Sequence, residues 1–237
     1  MKRTFDFVVS GIALICFFPL IIIIGIIVKA TSKGPILFSQ KRLTMGMKEF
    51  NIYKFRSMEI NKIRESEAQQ IKGDSMEITK IGKFLRKSKL DELPQFWNIF
   101  VGDMSFIGPR PELPRRLKYY DDRQKRIFEM RSGISSPASI VFSNEEYLIS
   151  RVKDPEKFYI EQIMPYKIEL NLYYLKNQSF FYDIWLIIAT FLKILKKVEN
   201  KQVIKDKKLL EGKNEIEKKI GKEYWWKKEK NYYDNRG

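Results

Sequence analysis

Histidine is absent from this chain of 237 residues, and cysteine occurs once, at Cys16. Without histidine there is no Ser-His or Cys-His nucleophile pair, no imidazole base and no His-ligated metal. One cysteine permits neither an intramolecular disulfide nor a thiolate cluster. Any chemistry here rests on Asp, Glu, Lys, Arg, Tyr or Ser, with an oxygen-ligated metal as the remaining cofactor type. Charge is not scarce: the net charge is +16, and 31% of residues are charged. With 44% hydrophobic residues the chain can build a sizeable core, so uniform disorder is excluded. The length suits one compact domain with appendages. A basic chain of this kind meets an anion: a nucleic acid, a lipid surface or a phosphorylated substrate.

One long apolar run stands at the N-terminus. No charged residue lies between Phe7 and Val28, enough for the roughly 20 residues of a membrane helix. It exceeds a signal-peptide core, and no small-residue cleavage site follows it. Lys2 and Arg3 precede the run, and Lys29, Lys33, Lys41 and Arg42 follow it. Basic residues on both flanks give no orientation bias. Pro19 removes a helix hydrogen bond near the middle. A re-entrant helix that turns back within one leaflet and a spanning helix with a tolerated proline both satisfy the residues.

Beyond Gly34-Pro35, the runs Ile36 to Gln40 and Phe50 to Met58 read as strands. Residues 59–77 are polar and read as an exposed excursion. Ile78 to Lys87 has helical spacing, with Ile78, Ile81, Phe84 and Leu85 on one side and basic residues on the other. A second helix is expected from Asp91 to Phe100, because Pro94 is tolerated only in a first turn. Gly102 to Pro114 reads as a loop, and Pro155 to Asn177 as a helix. Phe180 to Leu195 reads either as an interfacial helix or as a core helix. The tail past Val198 is lysine-rich and ends in aromatic pairs.

Three segments concentrate chemistry. In Leu90-Asp91-Glu92-Leu93-Pro94, two adjacent acids open a helix. They read either as first-turn capping acids or as a nucleophile and a metal ligand, since carboxylates attack phosphorus and hold Mg²⁺. In Pro109-Arg110-Pro111 the flanking prolines stiffen the backbone, so the guanidinium can present a fork to a diphosphate. In Tyr53-Lys54-Phe55-Arg56-Ser57-Met58, Lys54 and Arg56 add positive charge.

Taken together, the Lys2-Arg3-Thr4-Phe5-Asp6-Phe7 opening, the proline in the apolar run, Tyr53 to Met58, Lys83 to Asn98 with its Asp-Glu pair, and Gly102 to Pro111 resemble the bacterial sugar transferases. These are small monotopic phosphoglycosyl transferases. The resemblance runs from Lys2 to about Val198 and implies an α/β fold, mostly helical with a small sheet. It also implies a re-entrant membrane helix over 1–33, a cytoplasmic catalytic domain over 34–198 with an interfacial C-terminal helix, and a tail over 199–237. It implies transfer of a sugar-1-phosphate from a UDP-sugar to polyprenyl phosphate with UMP release, the first membrane step of surface-glycan synthesis, at the bacterial inner membrane with the catalytic domain facing the cytoplasm. It makes Asp91 the nucleophile and Glu92 its partner, either as a ligand with Asp91 for Mg²⁺ or in handling a proton. Arg110 binds the donor, with Lys54, Arg56, Arg86 and Arg131 as further substrate-binding residues. Bilayer lipids are partners, nucleic acid is not, and a homodimer is left open. The chain departs from the family at Phe18-Pro19, where relatives often carry Ser-Pro, and over Arg131 to Ser139, where they carry Arg-Pro-Gly-Ile-Thr-Gly. A non-catalytic membrane adaptor with a basic surface is the alternative reading.

Overall fold

The computed structural model describes residues 1–59, 78–149 and 152–194. The expected excursion therefore lies, apart from Glu59, outside the described residues, as does the tail over 199–237. Twelve elements are described: α1 (Lys2–Thr31), β1 (Leu37–Leu43), β2 (Glu49–Phe55), α2 (Lys80–Ser88), α3 (Gln95–Val101), β3 (Met104–Ile107), β4 (Ser132–Ser135), α4 (Pro137–Val141), α5 (Glu145–Ile149), α6 (Pro155–Phe158), α7 (Met164–Asn177) and α8 (Phe180–Ile194). The protein is mostly helical, and its small sheet is in fact two separate pairs. β1 and β2 form an antiparallel hairpin, while β3 and β4 pair in parallel. The segment read as a loop over Gly102 to Pro114 thus contains a strand. Its partner lies beyond two short 3₁₀ stretches, and its buried residues Met104, Ser105 and Ile107 show no one-sided alternation. A pairing this distant leaves no local mark in the sequence.

Apolar helix α1 is long and apolar enough to cross a membrane, and it continues through Pro19 without interruption. It is bound to the rest of the molecule at both ends. At its start, Lys2 Nζ lies 2.6 Å from an Asp183 carboxylate oxygen on α8. Arg3 donates to the carbonyls of Ile99 and Phe100 at 2.6 and 2.7 Å. A cation at the C-terminal end of α3 satisfies orphan carbonyls and meets the negative end of the helix dipole. Near the other end, Ile24 and Val28 pack with Phe55, Leu85 and Leu93. Arg56 then donates to the Ser32 and Lys33 carbonyls, both at 2.7 Å. Each buried aliphatic side chain contributes about 1.5–3 kcal/mol. The outer face of α1 stays apolar and exposed, as at Ile12, Ile15, Phe18 and Ile26.

The largest core cluster gathers Ile107, Phe128, Ile140, Ile163, Ile168, Leu170, Tyr174, Leu186 and others from β3 to α8. Pro155 to Asn177 is helical as expected, with one π turn over Tyr159–Ile163 between α6 and α7. α8 packs one side into the core and leaves apolar residues exposed on the other. Leu186 and Ala189 are fully buried, yet Phe181 is 83% exposed and Phe191 65%.

α2 begins at Lys80, two residues after the expected start at Ile78, which instead bridges Met58; Thr79 is its N-cap, accepting from Gly82 N at 2.9 Å. It sits tightly on the end of β2: a Cβ at Gly82 would stand 2.0 Å from the Ser57 carbonyl oxygen. Gly82→Ala must push α2 off that carbonyl. We expect a loss of about 2 kcal/mol or more, seen as a fall of about 5 °C in the unfolding midpoint of the detergent-solubilised protein. An unchanged midpoint would contradict this packing.

Candidate active site

Between α2 and α3 the chain turns sharply. Lys89 adopts left-handed geometry (φ 60°) and donates its N–H to Arg86 O at 3.3 Å, closing α2. Leu90–Glu92 is a separate 3₁₀ turn, and α3 starts only at Gln95, with Pro94 as a cap that offers no side-chain bond. The expected single helix from Asp91 to Phe100 is therefore split, and Asp91 is not an N-cap. The reason is the left-handed residue at 89: the backbone re-enters helical geometry through 3₁₀ bonds before proline sets the first turn of α3. Asn98, fully buried on α3, ties this unit to β2. Its Oδ1 accepts from Tyr53 N at 3.1 Å, and its Nδ2 donates to Asn51 O at 2.8 Å.

That tie brings Lys54 of β2 over the 3₁₀ turn. Its Nζ donates to Glu92 Oε1 at 2.7 Å. The same oxygen accepts from Arg110 Nη2 at 3.2 Å. Arg110 is delivered by the turn after β3. Gly108 N donates to Ser135 O and Gly133 N to Pro109 O, at 2.9 and 2.8 Å. A Cβ at Gly108 would lie 2.1 Å from the Arg131 carbonyl oxygen, so the turn needs glycine to lie against β4. Beyond it, Arg42 Nη1 donates to Pro111 O at 3.2 Å, and Leu43 N to Glu112 O at 2.8 Å. The turn is therefore stiff for tertiary reasons as well as for its prolines.

Electrostatics separates the two acids. Burial pushes the Glu92 carboxyl up, but Lys54, Arg110 and Lys89 outweigh it and hold Glu92 well below the usual carboxylate range. The Asp91 carboxyl is raised, by burial first and then by repulsion from Glu92, against the pull of Lys54, Lys89 and Arg86. Burial lowers the Lys54 ammonium, Glu92 draws it up, and Arg110 adds to the lowering. Arg110 is held above its ordinary value, chiefly by Glu92. Its side chain is still 45% exposed and faces solvent. Asp91 is only 7% exposed, and its buried Oδ1 has no hydrogen-bond partner among the described residues. An orphan carboxylate oxygen beside a fixed cationic cluster is poised either to attack an electrophile or to receive a cation.

The structure thus unites Asp91, Glu92, Lys54 and Arg110, with Arg86 and Lys89 in their field. It does not bring Arg56 or Arg131 there. Arg56 is buried against the end of α1, and Arg131 Nε donates to Gly102 O at 3.0 Å beyond the far end of α3. The segment after Arg131 is largely internal: Ser132, Ser135 and Ser136 are buried. Two contributors escaped the sequence reading. Lys89 lies just past the expected helix over Ile78 to Lys87, with nothing in the sequence to single it out. Glu112, next after Pro111, is buried, and its carboxylate accepts from Arg116, Tyr120, Tyr159 and Leu113 N, so it anchors the arginine turn. An acid directly after Pro-Arg-Pro was the one available signal.

Such an acid pair, neutralised on one side and orphaned on the other, sits within a largely helical body that carries an apolar N-terminal helix. The model of the bacterial sugar transferase family matches residues 1–197, and the chain belongs to that family. Over 202 residues it is 36% identical to UDP-N-acetylgalactosamine-undecaprenyl-phosphate N-acetylgalactosaminephosphotransferase of Aeromonas hydrophila, covering 82% of this chain and 44% of that protein. It is 35% identical over 195 residues to UDP-glucose:undecaprenyl-phosphate glucose-1-phosphate transferase of Klebsiella pneumoniae, covering 81% and 39%. It is 35% identical over 196 residues to the uncharacterized sugar transferase EpsL of Bacillus subtilis (strain 168), covering 82% and 87%. The chain therefore spans about two-fifths of the first two relatives and most of the third.

Because the Asp91 carboxyl is raised in the folded protein, its ionised form opposes folding. That cost is absent below the ordinary carboxyl pKa, grows as pH rises from there to the raised value, and is complete above it. Asp91→Asn removes it. We expect this variant to be more stable than the parent at neutral pH, by about 1 kcal/mol in thermal unfolding, with the difference vanishing in acid. A less stable Asp91→Asn protein would refute the orphaned-carboxylate description.

Proposed function

We propose that the chain transfers a sugar-1-phosphate from a UDP-sugar to a polyprenyl phosphate, releasing UMP, through a covalent phospho-sugar ester on Asp91. The observation that carries this reading is the unpartnered, buried Oδ1 of Asp91 beside a Glu92 oxygen already held by Lys54 and Arg110. Family membership supports it, and so do the two relatives whose names join a UDP-sugar to undecaprenyl phosphate.

The chemistry follows from the charges. Asp91 Oδ1 attacks the β-phosphorus of the donor, and the bond from that phosphorus to the bridging oxygen breaks. The bridging oxygen leaves with its electron pair as part of UMP. An oxygen of the lipid phosphate then attacks the same phosphorus and restores the Asp91 carboxylate, yielding a polyprenyl diphosphate sugar. No proton must move in either step, which suits a site without histidine. Attack of a carboxylate on a diphosphate brings like charges together, at about 4 kcal/mol per pair at 4 Å and an effective dielectric of about 20. Arg110, half-exposed at the rim, offsets that charge on the donor and on departing UMP. Lys54 and Arg110 hold Glu92 ionised and in place, leaving Asp91 as the carboxylate with a vacant oxygen.

Mg²⁺ fits this donor set. Among the described residues no group of three acids is present. Mg²⁺, however, commonly takes one or two carboxylates and completes its shell with substrate phosphates and water. Asp91 and Glu92 would hold it. When bound, it would supply positive charge to the diphosphate.

Placement at a bilayer completes the reading. Both ends of α1 are held by the same folded unit, so a helix crossing the membrane would separate its ends from a body that grips each of them. Placement of α1 within a single leaflet keeps both, although α1 runs through Pro19 as one helix rather than turning back there. The exposed apolar residues Phe84 on α2, Trp97 on α3, and Phe181 and Phe191 on α8 extend the membrane-facing surface. A lipid phosphate and a soluble nucleotide could then meet at Asp91 from opposite sides of the interface. The expected setting is the bacterial cytoplasmic membrane, with the catalytic domain facing the cytoplasm and surface-glycan synthesis as the pathway type.

The purified full chain, given undecaprenyl phosphate, Mg²⁺ and either UDP-glucose or UDP-N-acetylgalactosamine, is expected to release UMP. Asp91→Asn should lose this activity by about a thousandfold or more. Intact-mass analysis of wild type quenched with donor alone should show a sugar-phosphate adduct on Asp91. Full UMP release by Asp91→Asn, or an adduct on another side chain, would sink the nucleophile assignment. Since burial raises the Asp91 carboxyl, the acid limb of the rate profile should lie above the ordinary aspartate value of about 3.9. Lys54→Met removes the strongest group lowering that carboxyl and should shift the limb to still higher pH.

A further inference from the structure

Gln95 opens α3 and is only 2% exposed, yet its amide nitrogen Nε2 is buried without a hydrogen-bond partner among the described residues. Its neighbours define the face it occupies. Gln95, Asn98 and Ile99 are the buried residues of α3. Asn98 bonds the backbone of Asn51 and Tyr53, and Ile99 packs with Phe50 and Ile52, so this face lies on β2. Asp91 stands four residues before Gln95 and seven before Asn98, the spacing of one helical stripe. The backbone between them keeps right-handed geometry, at Leu93 (φ −52°, ψ −38°) and at Pro94 (φ −60°, ψ −17°). Side chains four apart on such a stretch are neighbours, with Cβ atoms about 5–6 Å apart. A buried donor thus follows a buried acceptor, Asp91 Oδ1, by one turn, and among the described residues neither bonds the other or anything else.

An orphaned amide nitrogen in the interior costs stability. Its surroundings offer no remedy. Lys54 and Arg110, the cations beside the acid pair, are donors themselves, and the Glu92 oxygen Oε1 already accepts from both. We propose that Gln95 is a catalytic residue whose Nε2–H donates to a non-bridging oxygen of the phosphoryl group that Asp91 attacks. The acceptor that Gln95 lacks arrives with the substrate. A bond from Asp91 Oδ1 to phosphorus sets the phosphoryl oxygens one atom further out, within reach of a side chain one turn away. The amide adds a donor without adding a charge. It stabilises those oxygens as negative charge shifts onto them, and it leaves Asp91 without a salt-bridge partner that would blunt its attack. Gln95 moves no proton and forms no covalent bond. This role rests on the Asp91 nucleophile proposed above.

The test uses the full chain in detergent with UDP-glucose or UDP-N-acetylgalactosamine and no acceptor. The first turnover of UMP is followed by rapid quench, and the sugar-phosphate adduct by intact mass. Gln95→Met keeps the shape of the side chain and removes the donor. It is expected to slow adduct formation about a hundredfold, while its unfolding midpoint stays at the wild-type value or rises, because the free protein loses no hydrogen bond. Adduct formation at the wild-type rate overturns the inference. A variant that unfolds more than about 5 °C lower, or does not fold, overturns it too, since Nε2 then holds a structural bond. Gln95→Glu gives an independent reading. It puts an acceptor where the donor stood and should slow adduct formation at least as much as Gln95→Met; a wild-type rate there again overturns the inference. A wild type that forms no adduct on Asp91 overturns the functional reading itself. An Asp91 adduct that forms equally fast without the Gln95 donor overturns only the role given to Gln95.

Discussion

One oxygen of Glu92 holds the site together. It receives an ammonium from β2 and a guanidinium from the turn after β3. Each cation is partly removed from water and would be costly there without a counter-charge. The carboxylate supplies it for both, and their combined attraction exceeds its own desolvation, so it stays ionised. The hairpin, the 3₁₀ turn and the arginine turn therefore share this acceptor, beside the Arg42 and Leu43 bonds to Pro111 O and Glu112 O. Asn98 and Glu112 serve the same end from outside: one joins α3 to β2, the other anchors the chain just past Arg110.

This arrangement explains why two adjacent acids differ. Glu92 is neutralised by contact, whereas Asp91 is buried with a vacant oxygen and feels its neighbour's charge. A site composed for folding alone would satisfy both. Leaving one unsatisfied costs stability and creates reactivity, a pattern common at functional sites. Gln95, one turn further on, shows the same pattern with a buried donor.

The position of α1 carries a second constraint. An apolar helix with both ends clasped by one folded unit fixes the site relative to an exposed apolar surface. Lys2 with Asp183, Arg3 with the end of α3, and Arg56 with the end of α1 are polar clasps on either side of an apolar stretch. Two of these clasps use basic residues that charge alone would assign to substrate or lipid headgroups. Here they satisfy carbonyls at or just past helix ends, which have no partner within the helix.

Much was legible in the residues themselves. The absence of histidine confined the chemistry to Asp, Glu, Lys, Arg, Tyr or Ser, the uncharged run from Phe7 to Val28 announced the apolar helix, helical spacing located α2, and a second apolar run located α8. The Asp-Glu pair and Pro-Arg-Pro marked two of the three walls of the site, because unusual local composition shows in any window. Tertiary structure decided what depends on contacts distant in the chain. It paired β3 with β4 inside a segment that looked like loop. It split the helix after Lys89 and chose Lys54 over Arg56 as the cation facing Glu92. Alternation along one strand sends these two residues in the same direction, and it is the docking of α1 against the strand's end that diverts Arg56 to the Ser32 and Lys33 carbonyls. Local sequence sets which groups a segment offers. Which of them meet is a matter of packing between segments, and no window of the sequence contains both partners.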